Sequence, residues 1–175
     1  MGLAVPLFAG EDWGGVDGEV RDARRERHLR AVGGGPEAGD DRPVRVVLVE
    51  DDAAMRLLCT FNLEAAGFEV VAATTGRDGV ELARTRDPDV VLLDVMLPDL
   101  GGFEVAQQLK GVPVIFMSAR ASQADLARGR AAGAIDYVTK PFDPVALPDR
   151  VREDLEELKR SGTADSVWTL RFRLD

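Results

Sequence analysis

The stretch VVLLDVMLPDLGG, residues 90–102, decides the fold predicted for this chain. Its first four residues are apolar and lie between Pro88 and a loop that contains proline and glycine, which is typical of a strand buried on both faces. Asp94 closes this strand. Because ligand chemistry in α/β proteins takes place at the carboxyl ends of parallel strands, we expect the Asp94 carboxylate at that edge of a sheet.

Strands and helices alternate on both sides of this stretch. The pattern predicts strands at 44–50, 69–73, 89–94, 113–118 and 134–139. It predicts helices at 53–66, 76–86, 101–110, 122–132 and 143–160. Five consecutive βα units imply right-handed crossovers, so the sequence predicts an α/β fold with a doubly wound, parallel, five-stranded sheet.

The two ends of the chain do not share this pattern. Residues 1–42 hold nine of the eighteen glycines and alternate charged runs with glycine-rich breaks. That composition buries too little apolar surface to offset chain entropy, so we predict disorder, either as a functional tether or as an artefact of an upstream start codon. Residues 161–175 are predicted to be a short C-terminal tail, in which the alternation of VWTLRFRL favours an edge strand or a loose segment.

Charge and composition argue against several classes of function. The formal net charge is −9 at pH 7 and no basic patch is visible, which argues against nucleic-acid binding. The single cysteine, Cys59, cannot form an intrachain disulfide and favours a reducing, cytoplasmic environment. The N-terminus lacks the long hydrophobic stretch typical of a signal peptide or a membrane helix.

An acidic cluster closes the first predicted strand, RVVLVEDD at 45–52. Glu50, Asp51 and Asp52 are adjacent, and adjacent carboxylates repel one another unless a cation or solvent relieves the repulsion. Hard oxygen ligands with room for water favour Mg²⁺. Helix N-termini also favour acids, so we predict an N-cap at Asp52 and a metal ligand at Asp51.

Three more strand ends carry polar side chains. A cation beside Asp94 would let a carboxylate oxygen attack a phosphoryl group. The Ser118 hydroxyl could donate to a phosphoryl oxygen, with the small Ala119 leaving room, although a serine before a helix is more often an N-cap. Lys140 would supply the counter-charge, and Pro141 permits a cis peptide that would aim the lysine.

Four motifs occur in order: VEDD at 49–52, LLDVMLPDLGG at 92–102, FMSAR at 116–120 and DYVTKPF at 136–142. Through these motifs, residues 44–158 resemble the receiver domain of two-component response regulators in the CheY-like superfamily, and the chain resembles the single-domain type. The resemblance implies a flavodoxin-like (βα)5 fold with strand order 2-1-3-4-5.

The resemblance also implies roles for the acidic residues. Asp94 would accept a phosphoryl group from a histidine kinase or a phosphotransfer protein. Mg²⁺ would be bound by Glu50, Asp51, Asp94 and the backbone carbonyl of Met96.

For the phosphoryl group itself, the resemblance assigns Ser118 and Lys140 as binding residues. It assigns Ser118 and Tyr137 as the switch, with Tyr137 rotating inward as Ser118 moves. A partly buried core aromatic is the alternative interpretation of Tyr137. Partner binding would then change on the face formed by the fourth helix, the fifth strand and the fifth helix.

Two features depart from the family pattern. Only 24 residues lead from Asp94 to Ser118, so the third helix must be short or joined abruptly to the fourth strand. The sequence after the last predicted helix is too short for an output module. We therefore expect either output in trans through an unidentified protein or a chain that is a fragment of a longer, multidomain regulator. We also expect no enzymatic activity, no membrane contact and no direct nucleic-acid binding.

Three rival functions use similar folds. A binding module of the same fold could signal without phosphorylation, although every site position holds a chemically competent residue. An aspartate-nucleophile phosphohydrolase would carry a second aspartate where this chain has Met96. Flavin binding would require a loop rich in hydroxyls and glycine after the first strand, where EDDAAM would repel a phosphate.

Overall fold

The parallel sheet brings the predicted strand ends to one edge. A computed structural model describes residues 42–172. Its strands are Arg45–Val49 (β1), Glu69–Ala73 (β2), Val90–Asp94 (β3), Val114–Ser118 (β4) and Asp136–Thr139 (β5). All pairs are parallel and the order is β2-β1-β3-β4-β5, which confirms the predicted α/β, flavodoxin-like topology. The carboxyl ends of β1, β3, β4 and β5 therefore lie in one continuous row.

The apolar run of β3 is buried on both faces of the sheet. Val90 and Leu92 belong to the apolar cluster on one face, whereas Val91 and Leu93 belong to the cluster on the other. Successive strand residues point to opposite faces, so a strand covered on both sides must be apolar throughout. Asp94 is the first residue of this strand that breaks the run.

In the described part of the chain, six helices connect and cover the strands. They are Ala53–Ala65 (α1), Gly76–Arg86 (α2), Gly102–Gln108 (α3), Gln123–Ala131 (α4), Leu147–Ser161 (α5) and Ala164–Arg171 (α6). The first five correspond to the five predicted helices. α5 begins at Leu147 rather than at 143, since Pro148 lies in its first turn, where the missing N–H costs no helical hydrogen bond.

The third helix is short, as the spacing between Asp94 and Ser118 predicts. α3 contains 7 residues and ends at Gln108. Gly111 then adopts a φ of +86°, a conformation that turns the chain abruptly towards β4.

The C-terminal segment corrects an expectation. The alternation of VWTLRFRL predicted an edge strand or a loose tail, but α6 covers Ala164–Arg171. Thr163 caps this helix by accepting a hydrogen bond from the Ser166 N–H, and the adjacent residues Val167 and Trp168 are both buried. Period-two alternation over a few residues also fits a short helix, and the capping threonine was the missed signal.

Other expectations concern the ends of the chain. The predicted disorder of residues 1–42 falls, apart from Arg42, outside the described residues. The division into an extension, a receiver domain at 44–158 and a tail stays a prediction. Within residues 42–172, no helix is long and apolar enough to cross a membrane.

A substitution at Gly102 tests how closely α3 approaches the end of β3. A Cβ at this position would collide with the Asp94 carbonyl oxygen and lie 2.7 Å from Val95 Cα. These are backbone atoms that cannot rotate away, so we expect Gly102→Ser to lower the free energy of unfolding by about 1–3 kcal/mol in urea titrations.

Gly101→Ser is the matched control for that substitution. A Cβ there would meet only the carboxylate of Glu104, the mobile end of a flexible side chain. Serine is also a favourable N-cap at the position before α3. Equal stability of the two variants would contradict the close approach.

Candidate functional site

Three carboxylates converge at the carboxyl edge of the sheet. Glu50 follows β1 and is fully buried, Asp94 ends β3 and is buried, and Asp51 is exposed. One carboxylate oxygen from each of the three lies within 4.8 Å of the others. A single cation could therefore contact all three residues, with its remaining coordination positions open to solvent on the Asp51 side.

Lys140 bridges the two buried carboxylates. Its Nζ donates a hydrogen bond to Glu50 Oε2 at 2.7 Å and another to Asp94 Oδ2 at 2.6 Å. The Lys140–Pro141 peptide is cis. The backbone N–H of Lys140 also donates to the carbonyl of Ser118 at 2.8 Å, which fixes the end of β5 against the end of β4.

Burial and charge oppose one another in this pocket. Burial raises the pKa of Glu50, the neighbouring Asp94 charge raises it further, and the hydrogen bond from Lys140 opposes the shift. Burial alone would lower the pKa of Lys140, but its hydrogen bonds to Asp94 and Glu50 prevail and raise it. One lysine thus serves two buried carboxylates, and Asp51 adds a third negative charge nearby.

The second oxygen of Asp94 is held by the backbone. Asp94 Oδ1 accepts a hydrogen bond from the Met96 N–H at 2.8 Å, whereas Oδ2 faces Lys140. The carboxylate is therefore oriented from both sides. Met96 does lie beside Asp94, but the predicted role of its carbonyl as a metal ligand stays a prediction.

Arg56 is a site residue that the sequence analysis missed. Its Nη1 donates to the carbonyls of Glu50, at 2.9 Å, and Asp51, at 3.0 Å, and so ties the acidic loop to α1. A basic residue one turn into the helix that follows an acidic strand end was the available signal. Asp52 caps α1 by accepting from the Met55 N–H at 2.7 Å, as predicted.

Ser118 and Tyr137 both bind the backbone of Arg120. Ser118 is fully buried, and its Oγ accepts a hydrogen bond from the Arg120 N–H at 3.0 Å. The Tyr137 hydroxyl donates to the Arg120 carbonyl at 2.5 Å, and its ring is buried. The N-cap of α4 is Ser122, so Ser118 is not used for capping, and Ala119 beside it is exposed.

Asp99 is a second residue that the sequence analysis missed. It lies in the loop after β3 and accepts hydrogen bonds from the N–H groups of Gly76, at 2.7 Å, and Arg77, at 3.0 Å, at the start of α2. Although desolvation opposes the shift, these backbone hydrogen bonds lower the pKa of Asp99 to about 2. The loop that follows the Asp94 carboxylate is thereby anchored to a neighbouring helix.

The fold and the pocket define a class of protein: a doubly wound α/β domain whose sheet edge carries three carboxylates and a bridging lysine. The family model for the response regulator receiver domain matches residues 46–152, and the chain belongs to this family.

Relatives and solved structures agree with this assignment. The transcriptional regulatory protein CseB of Streptomyces coelicolor is 44% identical over 123 residues, which are 69% of this chain and 53% of that protein. The alkaline phosphatase synthesis transcriptional regulatory protein PhoP of Bacillus subtilis is 37% identical over 112 residues, 62% of this chain and 47% of that protein.

Among solved structures, the CheY-like response regulator receiver domain protein of Methanospirillum hungatei JF-1 has a TM-score of 0.63 at 29% identity, covering 66% of this chain and 95% of that chain. The BeF3-activated receiver domain of Klebsiella pneumoniae RstA has a TM-score of 0.59 at 31% identity, covering 63% and 97%.

Three of the expectations from the sequence are not supported by the relatives. The chain spans about half the length of the curated relatives it matches. Those relatives are named transcriptional regulatory proteins, so the comparisons do not support the expected single-domain type, the output in trans or the absence of nucleic-acid binding.

The acidic cluster generates a test of metal binding. If Asp51 is a ligand, Mg²⁺ should raise the melting temperature of the wild type, because a ligand that binds only the folded state stabilises it by about 2.7 kcal/mol at one hundred times its Kd. We expect Asp51→Asn to lose most of this gain, measured in MgCl2 against NaCl of equal ionic strength.

Asp52→Asn is the matched control, because asparagine is an equally good N-cap for α1. It should keep the full response to Mg²⁺. A loss of equal size in both variants would show that local charge alone, and not ligation by Asp51, produces the effect.

Proposed function

We propose that this chain is the phosphoacceptor receiver of a two-component phosphorelay, with Asp94 accepting a phosphoryl group from a histidine kinase or a phosphotransfer protein. The observation that carries the proposal is the orientation of Asp94. Its carboxylate is buried beside Glu50 and Asp51 and is held by the Met96 N–H on one oxygen and Lys140 Nζ on the other.

Mg²⁺ fits the donor set of the pocket. Glu50, Asp51, Asp94 and the carbonyl of Met96 would hold it, and the ion would neutralise charge on the transferred phosphoryl group. The chain's own contribution is position: an oxygen of Asp94 attacks phosphorus, the bond to the donor nitrogen breaks, and the donor keeps that electron pair. The transfer stops at the aspartyl phosphate, so we propose a phosphoacceptor rather than an enzyme.

Lys140 and Ser118 would then hold the phosphoryl oxygens. Lys140 already contacts Asp94, so its ammonium group needs only a small displacement to reach a phosphoryl oxygen. Ser118 Oγ uses a lone pair to accept from Arg120, and a phosphoryl oxygen would use the hydroxyl hydrogen.

The switch would act through Arg120. The Tyr137 ring was expected to rotate inward on phosphorylation, but it is already buried in this structure. We therefore propose that the hydrogen bond from the Tyr137 hydroxyl to the Arg120 carbonyl is what changes, because the N–H of the same residue donates to Ser118. The change would reach the face formed by α4, β5 and α5.

The output of the pathway is the regulation of transcription in this proposal, as the names of the relatives suggest. We propose that the chain acts in the cytoplasm, because its single cysteine favours a reducing compartment and its proposed partner is a kinase. Transcript profiles that do not differ between cells carrying wild-type protein and cells carrying Asp94→Ala would argue against this output.

Direct labelling tests the acceptor. Incubation with acetyl phosphate and Mg²⁺ should shift the wild type on a Phos-tag gel, and Asp94→Ala should abolish the shift. Asp99 is an acid in the same loop that accepts its hydrogen bonds from α2, so Asp99→Asn should keep the shift. An unlabelled wild type would favour the module that signals without phosphorylation, and a shift that survives Asp94→Ala would place the phosphoryl group elsewhere.

The surface of α1 offers a docking site for the phosphodonor protein. This helix begins directly after Asp51 and Asp52, and it leaves Leu57, Leu58 and Phe61 exposed, with Phe61 at 67%. A donor histidine must approach Asp94 over this rim, so its protein would cover these apolar side chains.

We expect Phe61→Ser to slow phosphotransfer from a histidine kinase by about tenfold, the cost of losing one buried aromatic anchor. Labelling by acetyl phosphate should be unchanged, because a small donor needs no docking surface. Leu170→Ser, on the exposed side of α6, is the control. The measurement is the rate of transfer from purified, autophosphorylated kinases of the same genome, and equal rates for all three proteins would contradict docking on α1.

A further inference from the structure

α6 lies over an edge of the sheet. β5 is the last strand, with β4 on one side only. Trp168 belongs to the same apolar cluster as Tyr137, on one face of the sheet, whereas Val167 belongs to the cluster of Val138 on the other face. Because two adjacent residues of α6 reach opposite faces, the helix must cross the edge formed by β5.

A buried acidic notch lies beside these apolar contacts. Asp136 at the start of β5 and Asp154 on α5 are both fully buried. Arg150 binds Asp136 at 2.5 and 2.9 Å, and Arg171 of α6 binds Asp154 Oδ1 at 2.7 Å. Burial and the nearby Asp136 charge raise the pKa of Asp154 to about 7.

α6 leaves both the acidic notch and the apolar surface beside it incompletely filled. Asp154 Oδ2 is buried and has no hydrogen-bond partner among the described residues. On the apolar side, a cavity of about 260 Å³ adjoins Trp168 and is lined by Gln123, Leu126, Ala127, Arg130, Trp168 and Phe172. An unsatisfied buried oxygen and an unfilled apolar space both leave binding free energy unused.

α6 depends on its tertiary contacts rather than on helical stability of its own. It has 8 residues, fewer than an isolated helix needs for stability in water, and it follows Gly162, whose φ is +74°. Its ion pair between Asp165 and Arg130 of α4 is exposed, so it contributes little. The helix is therefore held chiefly by Val167, Trp168 and Arg171.

We propose that the face of α4, β5 and α5 is a receptor for an amphipathic helix that carries a large aromatic residue and, three residues later, an arginine, and that α6 occupies this receptor in cis. The partner helix is basic at its C-terminal end, because Asp136, Glu153 and Asp154 make the notch acidic. It displaces α6 by filling the cavity beside Trp168 and by satisfying Asp154 with a better placed guanidinium group.

The same surface adjoins the switch. Gly129 of α4 separates the two aromatic side chains: a Cβ there would lie 3.1 Å from the Tyr137 ring and 3.4 Å from the Trp168 ring. A shift of Tyr137 is thus passed to Trp168 through one backbone position. In this respect the inference rests on the proposed function, and phosphoryl binding loosens α6.

The first experiment tests the receptor without phosphorylation. A fluorescein-labelled peptide of residues 162–172 is titrated with wild type, Trp168→Ala and Leu170→Ala, and anisotropy is measured. Trp168→Ala should bind the peptide about tenfold more tightly than the other two proteins, because their own α6 competes at a high effective concentration. A peptide carrying Arg171→Glu should bind about tenfold more weakly than the unchanged peptide.

Equal binding of the peptide to all three proteins, or no binding to a folded Trp168→Ala, would overturn the receptor and leave α6 as a fixed part of the core. Circular dichroism establishes whether Trp168→Ala is folded. If it is unfolded, the same titration is made with Arg171→Ala, which removes the ion pair and leaves the apolar contacts; binding equal to that of wild type overturns the proposal.

The second experiment needs no destabilising substitution. The chain has two tryptophans, so Trp13→Phe leaves Trp168 as the sole tryptophan, which is excited selectively at wavelengths beyond the absorption of Tyr137. Beryllium fluoride with Mg²⁺ should increase acrylamide quenching of Trp168 about twofold, and Asp94→Ala should abolish the response. If acetyl phosphate labels the chain but quenching does not change, the coupling between phosphoryl binding and α6 is overturned. If acetyl phosphate does not label the chain, the proposed function is contradicted instead.

Discussion

The double hydrogen bond from Lys140 to Glu50 and Asp94 is the interaction on which the site depends. Lys140 follows β5, its backbone N–H binds the end of β4, and its side chain reaches the carboxylates at the ends of β3 and β1, so one residue links four strand ends. A buried carboxylate without a partner costs several kcal/mol, and removal of one member of a buried ion pair is strongly destabilising. Loss of the lysine's charge would therefore leave two buried carboxylates without their counter-charge.

This arrangement leaves the pocket short of positive charge. Two buried acids share one base, and Asp51 brings a third carboxylate to the solvent side. A phosphoryl group would add further negative charge, so the residues present cannot balance an aspartyl phosphate by themselves. A divalent cation at the carboxylates would correct the balance before and after transfer. The shortage of charge is thus the property that links the structure of the site to the reaction we propose.

The strands and most of the site could be predicted from the sequence because both depend on local patterns. VVLLD is typical of a strand buried on both faces, and the carboxyl ends of parallel strands lie at the same edge of the sheet. Arg56, Arg120 and Asp99 could not be predicted in the same way. Arg56 donates from α1 to carbonyls of the preceding loop, Asp99 accepts from N–H groups of a helix distant in sequence, and Arg120 uses its backbone N–H and carbonyl. A basic residue after an acidic strand end indicates that Arg56 lies near the loop, but residue types do not specify which backbone groups are bound.

α6 shows a second limit of predicting secondary structure from sequence periodicity. The alternation in VWTLRFRL is the same whether the segment pairs with β5 or crosses over it, so periodicity alone could not choose between a strand and a helix. Tertiary contacts favour the helix: Val167 and Trp168 pack into different apolar clusters at the β5 edge, and Arg171 pairs with the buried Asp154.

β5 connects these two parts of the molecule within a few residues. Asp136 at its start belongs to the notch that holds α6, Tyr137 lies against α4, and Lys140 just past its end bridges the acidic pocket. An edge strand has only one neighbour, so it can shift with fewer broken ladder hydrogen bonds than a central strand. A displacement of β5 that improves contacts at Lys140 must also move Asp136 and Tyr137. The pocket and the α6 surface are therefore mechanically joined by β5, one of the two edge strands of the sheet.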